Sequence, residues 1–428
     1  MIIGIDDTDS SEGMCTTYLG ALLLDELQAC GTVEALPFLV RLNPTIPYKT
    51  RGNAAVALKL KTCFPEKVIA HVLSRIEELA RMECEKTNPG AVFILEKDYE
   101  TLKPVLRDFL EEAVKDVIEI QKAKSLISKF GISSKGFKNG RGLIGALAAC
   151  GAMLNPEEWD PTFEHLAYRQ KGKWGTPREI EKESFFEADR ETYPETWDTV
   201  DLINRLVVCV PHSADPVLFG IRGVNPEIVT KAARMIRAEP VDRFAVYRTN
   251  QGTDMHLLPA ANVAEVRDMH SYRLEGTVSA VPKTICGGHV FFPIKDESGG
   301  QIDCAAFEPT KNFRELVRKL IPGDRVILSG SVTTMTLNIE KIEIKKLVPL
   351  YIEENPLCPE CKKHMKSVGQ GQGFRCKKCG IQASSKIRYE VERNIETGLY
   401  EVPPCARRHL AKPLVREKRP NIRVYPSR

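Results

Sequence analysis

Apolar runs of strand length alternate with longer stretches of helical character through the first 155 residues. Ile2–Ile5, Glu34–Leu42 and Ala54–Leu60 read as strands, and Leu19–Cys30, Pro65–Ala80 and Leu102–Asp116 as helices. Polar turns rich in Asn, Pro and Gly separate them, at 43–53 and 86–90. From 156 to about 262 the pattern offers two strands, Arg205–Pro211 and Arg243–Thr249, around a helix at Glu227–Arg237. That order is compatible with a ferredoxin-like unit. The sharpest pattern lies between Ser271 and Leu347. Leu274–Val281, His289–Ile294 and Gln301–Phe307 read as strands, Asn312–Leu320 as a helix, and Arg325–Val332 and Leu337–Ile344 as two more strands. Three strands, a helix and two strands is the order of an OB barrel, a fold that binds single-stranded nucleic acid. His289, Phe291, Phe292 and Phe307 are candidate stacking groups, although strand alternation sends some of them inward.

Length and composition narrow the class. At 428 residues, 28% of them charged and 43% hydrophobic, the chain suits a soluble protein of several domains. No apolar run approaches the ~18 residues of a membrane span, and no signal peptide is evident. Thirteen cysteines, nine scattered singly and four in two close pairs, fit a reducing cytoplasm and one metal site. The net charge of +4 is segregated. From Cys358 onward there are seventeen Lys and Arg against six Glu, so this end carries +11 and the remainder −7. A basic end on an acidic body points to a bound polyanion.

The acidic cluster Asp6, Asp7 and Asp9 follows the first strand directly. Strand exits collect ligands, and hard carboxylate oxygens suit Mg²⁺, which suits nucleotide phosphates. A helix cap needs one such residue, whereas three repel one another without a cation. Gly140–Ala149 is a glycine-rich string before a small-residue helix, flanked by Lys138 and Arg141. Its amides can receive phosphate, and its glycines equally permit close helix packing; its spacing is neither of the common nucleotide fingerprints. Acids alternate with aromatics through Glu183–Asp189 and then Tyr193, Asp198 and Asp201, a composition that fits a small organic cation or a solvated acidic loop. Cys358, Cys361, Cys376 and Cys379 form two CxxC pairs with fourteen residues between them. This spacing closes a tetrahedral, structural zinc site.

Taken in order, these features resemble the archaeal tRNA-isoleucine 2-agmatinylcytidine synthetase family. The resemblance runs nearly end to end. It rests on GIDDTDS and GMCTTYLG within Gly4–Gly20, NPTIPYKTRGN (Asn43–Asn53), KTNPGAVF (Lys86–Phe93) and GRGLIGALAA (Gly140–Ala149). It continues in ESFF (Glu183–Phe186), GIRG (Gly220–Gly223), TDMHL (Thr253–Leu257), GGHVFF (Gly287–Phe292), AAFEPTK (Ala305–Lys311), GQGFRCKKC (Gly371–Cys379) and YEVPPCARRHL (Tyr400–Leu410).

The resemblance implies a mixed α/β and α+β multidomain protein. A kinase-like ATP/Mg domain would span 1–155, a ferredoxin-like domain 156–265 (this boundary left open), an OB-fold 270–350, a four-cysteine zinc ribbon 351–385 and a basic C-terminal tail 386–428. It also implies an enzyme that uses ATP and agmatine to modify the wobble cytidine of the CAU-anticodon isoleucine tRNA. A phosphoryl group would activate the C2 oxygen, agmatine would replace it, and ATP would end as AMP. By motif position, Thr16 becomes phosphorylated. Asp6, Asp7 and Asp9 would hold Mg²⁺, and Lys49, Arg51, Lys86, Lys138 and Arg141 are candidate phosphate clamps. Agmatine is a dication, so Tyr193, Asp198 and Asp201 are the candidate pocket. The residues for ATP and agmatine all precede 210, so the region from Cys358 is expected to be separable from both. Two other classes compete. A single-strand-binding protein would use the OB-fold and ribbon alone and leave the Asp cluster idle. A nucleotidyl-transferring ligase would need a Lys-x-Asp-Gly string, which is absent.

Overall fold

The computed structural model describes residues 1–50 and 52–428. Among these, ten strands join into one sheet that runs through both of the first two domains. The strand Ile2–Asp6 lies inside it, antiparallel to Ala54–Lys61 on one side and Gly90–Ile94 on the other. Phe38–Arg41 follows Ala54–Lys61, and there the sheet crosses the domain boundary. Phe38 and Leu39 pair in parallel with Arg248 and Thr249 of the strand Val241–Thr249. Thr162–Arg169, Val217–Gly223 and Thr196–Trp197 then complete the sheet.

Helix Gly142–Leu154 is buried over all of its length, between this sheet and helix Tyr99–Lys115. Its residues are small where the strands come close. A Cβ on Gly142 would stand 2.5 Å from the Gly90 nitrogen and 2.6 Å from the Asp6 carbonyl oxygen. The glycine-rich string therefore serves close packing. Helix Pro65–Leu79 buries only Val68, Val72 and Ile76, one stripe four residues apart, and leaves its other faces to solvent.

The second domain departs from the expected elements. Arg205–Pro211 is not a sheet strand; only Leu206–Val207 pairs, in a hairpin with Val200–Asp201. Its central strands are instead Thr162–Arg169 and Val217–Gly223. The acid-aromatic stretch is helical, within Lys182–Thr192, and buries Phe185 against Phe219.

The OB-fold is present as expected. Ser271–Val278, Val290–Lys295, Gln301–Ala306, Thr336–Lys346 and Arg325–Thr333 pair in a closed ring, with helix Phe313–Arg318 after the third strand. Phe292 points into the barrel core, while Phe291 and Phe307 meet edge to face at the surface beside His289. A two-stranded neck, Leu350–Glu354 with Ile387–Val391, carries the small ribbon sheet that holds the cysteines.

The C-terminal segment is not a loose basic tail. Gly398–Glu401 extends the OB sheet along Thr336–Lys346. The chain then crosses to the first two domains, where Gly252 N–H donates to the His409 carbonyl (2.8 Å) and Leu410 joins the first core. Its arginines are ion-paired within the molecule. Arg407 meets Asp198 and Glu401, Arg416 meets Asp160, and Arg428 meets Asp189.

Candidate active site

The first strand delivers Asp6 at its last residue, and Asp7 takes a left-handed backbone (φ 59°) that turns the chain away. The three carboxylates consequently diverge. Asp6 lies against helix Gly142–Leu154, where the missing side chain of Gly145 leaves room for it. Asp7 accepts from the Asn88 N–H (3.2 Å), and Asp9 accepts from the Thr16 N–H (2.6 Å) and hydroxyl (3.0 Å). All three line one cavity with Lys49, Arg141, Asn53 and the apolar side chains of Leu42, Ile46, Ala113, Ile118 and Ile144.

Burial raises the Asp6 carboxyl well above the usual carboxylate range, and the Asp7 charge adds to this. Burial and the charge of Asp9 push the Asp7 carboxyl up to about 7. A group whose folded-state pKa is raised costs stability as pH climbs from its unfolded value to its folded one. Asp7→Asn is therefore expected to match the wild type near pH 4 and to be the more stable protein above pH 7, by on the order of 2–4 kcal/mol in chelator. Urea unfolding at pH 4.5 and 8 measures this; a constant difference between the two would refute it.

The predicted clamps divide. Lys49 lines the cavity, its amine bonded to the Pro44 carbonyl and its pKa lowered by burial. The Arg141 guanidinium stands over the Tyr48 ring (3.9 Å to its centre) and feels the charges of Asp7 and Asp6. Lys138 is exposed and donates to the Cys84 carbonyl (2.5 Å), and Lys86 is exposed away from the cavity wall. Arg51 lies outside the described residues.

Thr16 opens helix Thr16–Glu26, and its hydroxyl is buried. The Thr8 hydroxyl donates to it (3.0 Å) while it donates to Asp9. Thr16 and Asp9 also line a second, larger cavity of about 340 Å³. Its other walls include Arg41, Glu164, Cys209, His212, Asp215, Arg222 and His409. The His409 Nδ1 accepts from Arg222 (2.7 Å), so its proton sits on Nε2. Its ring is open to the cleft yet enclosed by protein. That enclosure and the charges of Arg41, Arg222 and Lys49 hold it well below the usual imidazole range, and it stays neutral.

The acids chosen from sequence for a dication are filled by this chain's own groups. Asp198 is paired with Arg407 and lies 3.6 Å from Arg222. Arg428 covers the Tyr193 ring at 4.0 Å. Asp201 is buried and accepts from Asn204 and from the Cys405 N–H. None of the three lines the cleft. Sequence reasoning missed Glu164, Asp215, Arg222 and His409. The last two stand in GIRG and ARRHL, but no local spacing ties those strings to Thr16.

At the other end, the sulfurs of Cys358, Cys361, Cys376 and Cys379 lie within 4.8 Å of one another, the one such metal-ligating group among the described residues. Backbone N–H groups, chiefly that of Cys379, lower the Cys376 thiol to about 7. The set fits a closed tetrahedral metal. Among the described residues no helix is long and apolar enough to cross a membrane.

Family models match most of this architecture. The TiaS TCKD domain matches residues 2–67, the TiaS FLD domain 140–256, an OB-fold nucleic acid binding domain 272–344, and the TiaS C-terminal zinc ribbon domain 355–395. The tRNA(Ile2) 2-agmatinylcytidine synthetase TiaS of Methanosarcina acetivorans is 79% identical over 428 residues, all of both chains. That of Archaeoglobus fulgidus is 50% identical, covering 97% of each. The crystal structure of the TiaS–tRNA(Ile2)–ATP complex superposes with a TM-score of 0.91 at 48% identity, over 99% of each chain. The TiaS–tRNA(Ile2)–AMPCPP–agmatine complex gives 0.88 at 45%, over 99% of this chain and 98% of that one. The chain belongs to the TiaS family of tRNA(Ile2) 2-agmatinylcytidine synthetases.

Proposed function

We propose that the protein is the ATP-dependent ligase that replaces the C2 oxygen of the wobble cytidine in the CAU-anticodon isoleucine tRNA with agmatine. The product, 2-agmatinylcytidine, pairs with A, so AUA is decoded as isoleucine. Full-length identity to synthetases of that name, and the solved complexes of relatives with tRNA(Ile2), ATP and agmatine, support this reading. The observation in this chain that carries it is the place of Asp9, which lines both cavities and holds Thr16 on the wall of the second.

In this reading the first cavity takes ATP. Its apolar wall receives the nucleoside, and Arg141 and Lys49 receive the phosphates. Asp6 and Asp7 suit Mg²⁺, which takes one or two carboxylates and otherwise phosphate and water oxygens, and which there neutralises phosphate charge. The second cavity has room for the cytosine and the agmatine amine together. Asp9 accepts the Thr16 proton, which makes that hydroxyl a phosphoryl acceptor. For the cytidine, phosphorylation turns a poor leaving group into a good one. The amine nitrogen then bonds to C2, the C2–O bond breaks, and the oxygen departs with the phosphate. Glu164, ion-paired with Arg222 (3.1 Å), and Asp215, ion-paired with Arg178 (3.2 Å), form the acidic side of this cavity and join Tyr193, Asp198 and Asp201 as candidate groups for the dication. Zn²⁺ held by the four ribbon cysteines would be structural, and the free thiols support a reducing, cytosolic setting.

The test is incubation with the tRNA, ATP and agmatine, followed by mass spectrometry of the wobble nucleoside. Agmatinylcytidine with release of AMP is expected. Tight tRNA binding without a modified nucleoside would leave only a single-strand binder.

A further inference from the structure

The OB-fold touches the nucleotide cavity as well as offering a surface to RNA. Asp116 caps helix Tyr99–Lys115 and lines the apolar end of that cavity, beside Ala113 and Ile118. One of its carboxylate oxygens accepts from the Val117 N–H (2.6 Å). The same oxygen lies 2.9 Å from Nε2 of His270, the residue that leads into the first barrel strand, though without the alignment of a hydrogen bond. Arg267 stands 3.7 Å from the other oxygen.

The His270 ring is nearly buried, lies against the Tyr272 ring, and has its Nδ1 2.8 Å from the Asp268 carbonyl. A carbonyl only accepts, so Nδ1 carries a proton. Nε2 on the other side of the ring faces the Asp116 carboxylate, so the histidine bridges the Asp268 carbonyl and an acid of another domain. The adjacent Met269 carbonyl receives Asn43 Nδ2 (3.1 Å) and the Thr45 hydroxyl. Those two residues begin the loop that carries Lys49 and Asn53 into the same cavity.

We propose that the OB-fold is a working wall of the nucleotide site. His270 is a positioning residue that holds Asp116 as the acceptor for a hydrogen-bond donor of the nucleoside, either a ribose hydroxyl or the base amino group. This rests on the reading that the cavity takes ATP, and it makes one domain answer for both RNA and nucleotide.

The test is calorimetric titration of the full-length protein, without RNA, with the non-hydrolysable analogue AMPCPP. His270→Ala and Asp116→Asn should each weaken binding about tenfold, the worth of one charged hydrogen bond, and together no further. Affinity for tRNA by filter binding should not change. The paired variants His270→Gln and His270→Asn keep the assay informative if the alanine variant folds poorly. Gln places its amide where Nε2 stood and should restore affinity; Asn keeps only the Nδ1 contact and should not. Repeating the titration with a 2′-deoxy analogue assigns the donor: if the hydroxyl is the partner, Asp116→Asn no longer matters. Wild-type affinity in Asp116→Asn with AMPCPP, or equal affinity of the Gln and Asn variants, overturns the proposal. A wild type that binds AMPCPP but never modifies tRNA would sink the functional reading and leave this one standing.

Discussion

Alanine in place of Gly145 is expected to slow agmatine-dependent AMP release about a hundredfold while tRNA affinity is retained. A Cβ there would stand 1.9 Å from an Asp6 carboxylate oxygen and 2.5 Å from its Cγ. Neither backbone can retreat. Asp6 ends a strand paired on both sides, and the helix bearing Gly145 is buried throughout. The carboxylate must leave its position by an ångström or more, a displacement that costs about a hundredfold in rate at a reacting centre. The barrel and ribbon are untouched, so filter binding should report unchanged affinity. An alanine variant that releases AMP normally would show that Asp6 is not at the reacting centre.

The second large effect falls on Arg407→Ala. This guanidinium is buried and neutralises Asp198 and Glu401, two buried carboxylates from different domains. Removing one partner of such a group leaves uncompensated charge, which typically costs about 3–5 kcal/mol. Urea unfolding should show that loss, and agmatine-dependent turnover should fall with it, because the segment bearing Arg407 continues into His409 on the cleft wall. The expectation that everything after Cys358 is separable from the small-molecule sites thus fails at 398–428. A variant that retains stability would show that water enters and solvates the two acids.

The barrel, the ribbon and the acidic strand exit were legible because each is local. Alternation, CxxC spacing and three neighbouring carboxylates need no distant partner to be recognised. The missed strand Thr162–Arg169 shows the limit. It buries Glu164, His165 and Arg169, charged or polar groups that a hydropathy pattern assigns to the outside. Arg169 is tolerated there because Glu239, seventy residues on, binds it at 2.7 Å and 2.9 Å. The apolar run Arg205–Pro211 misled for the opposite reason, since Leu206 is exposed on a hairpin. The surroundings of the agmatine candidates were equally hidden: Arg407, more than two hundred residues away, pairs with Asp198, and the Cys405 N–H donates to Asp201. The pairing of Phe38 with Arg248 has no local signature either.

The neck beneath the ribbon is two strands of five residues, paired only with each other and largely exposed. Such a ladder has no packed face to stiffen it. At about 3.3 Å per residue it holds the cysteine module roughly 17 Å out from the barrel. The module therefore behaves as a hand on a wrist. Its reach is fixed by chain geometry, while its angle is left to the curvature of whatever nucleic acid it closes upon. For an RNA held by barrel and ribbon together, discrimination would become a matter of span, measured between the barrel and the far end of that arm.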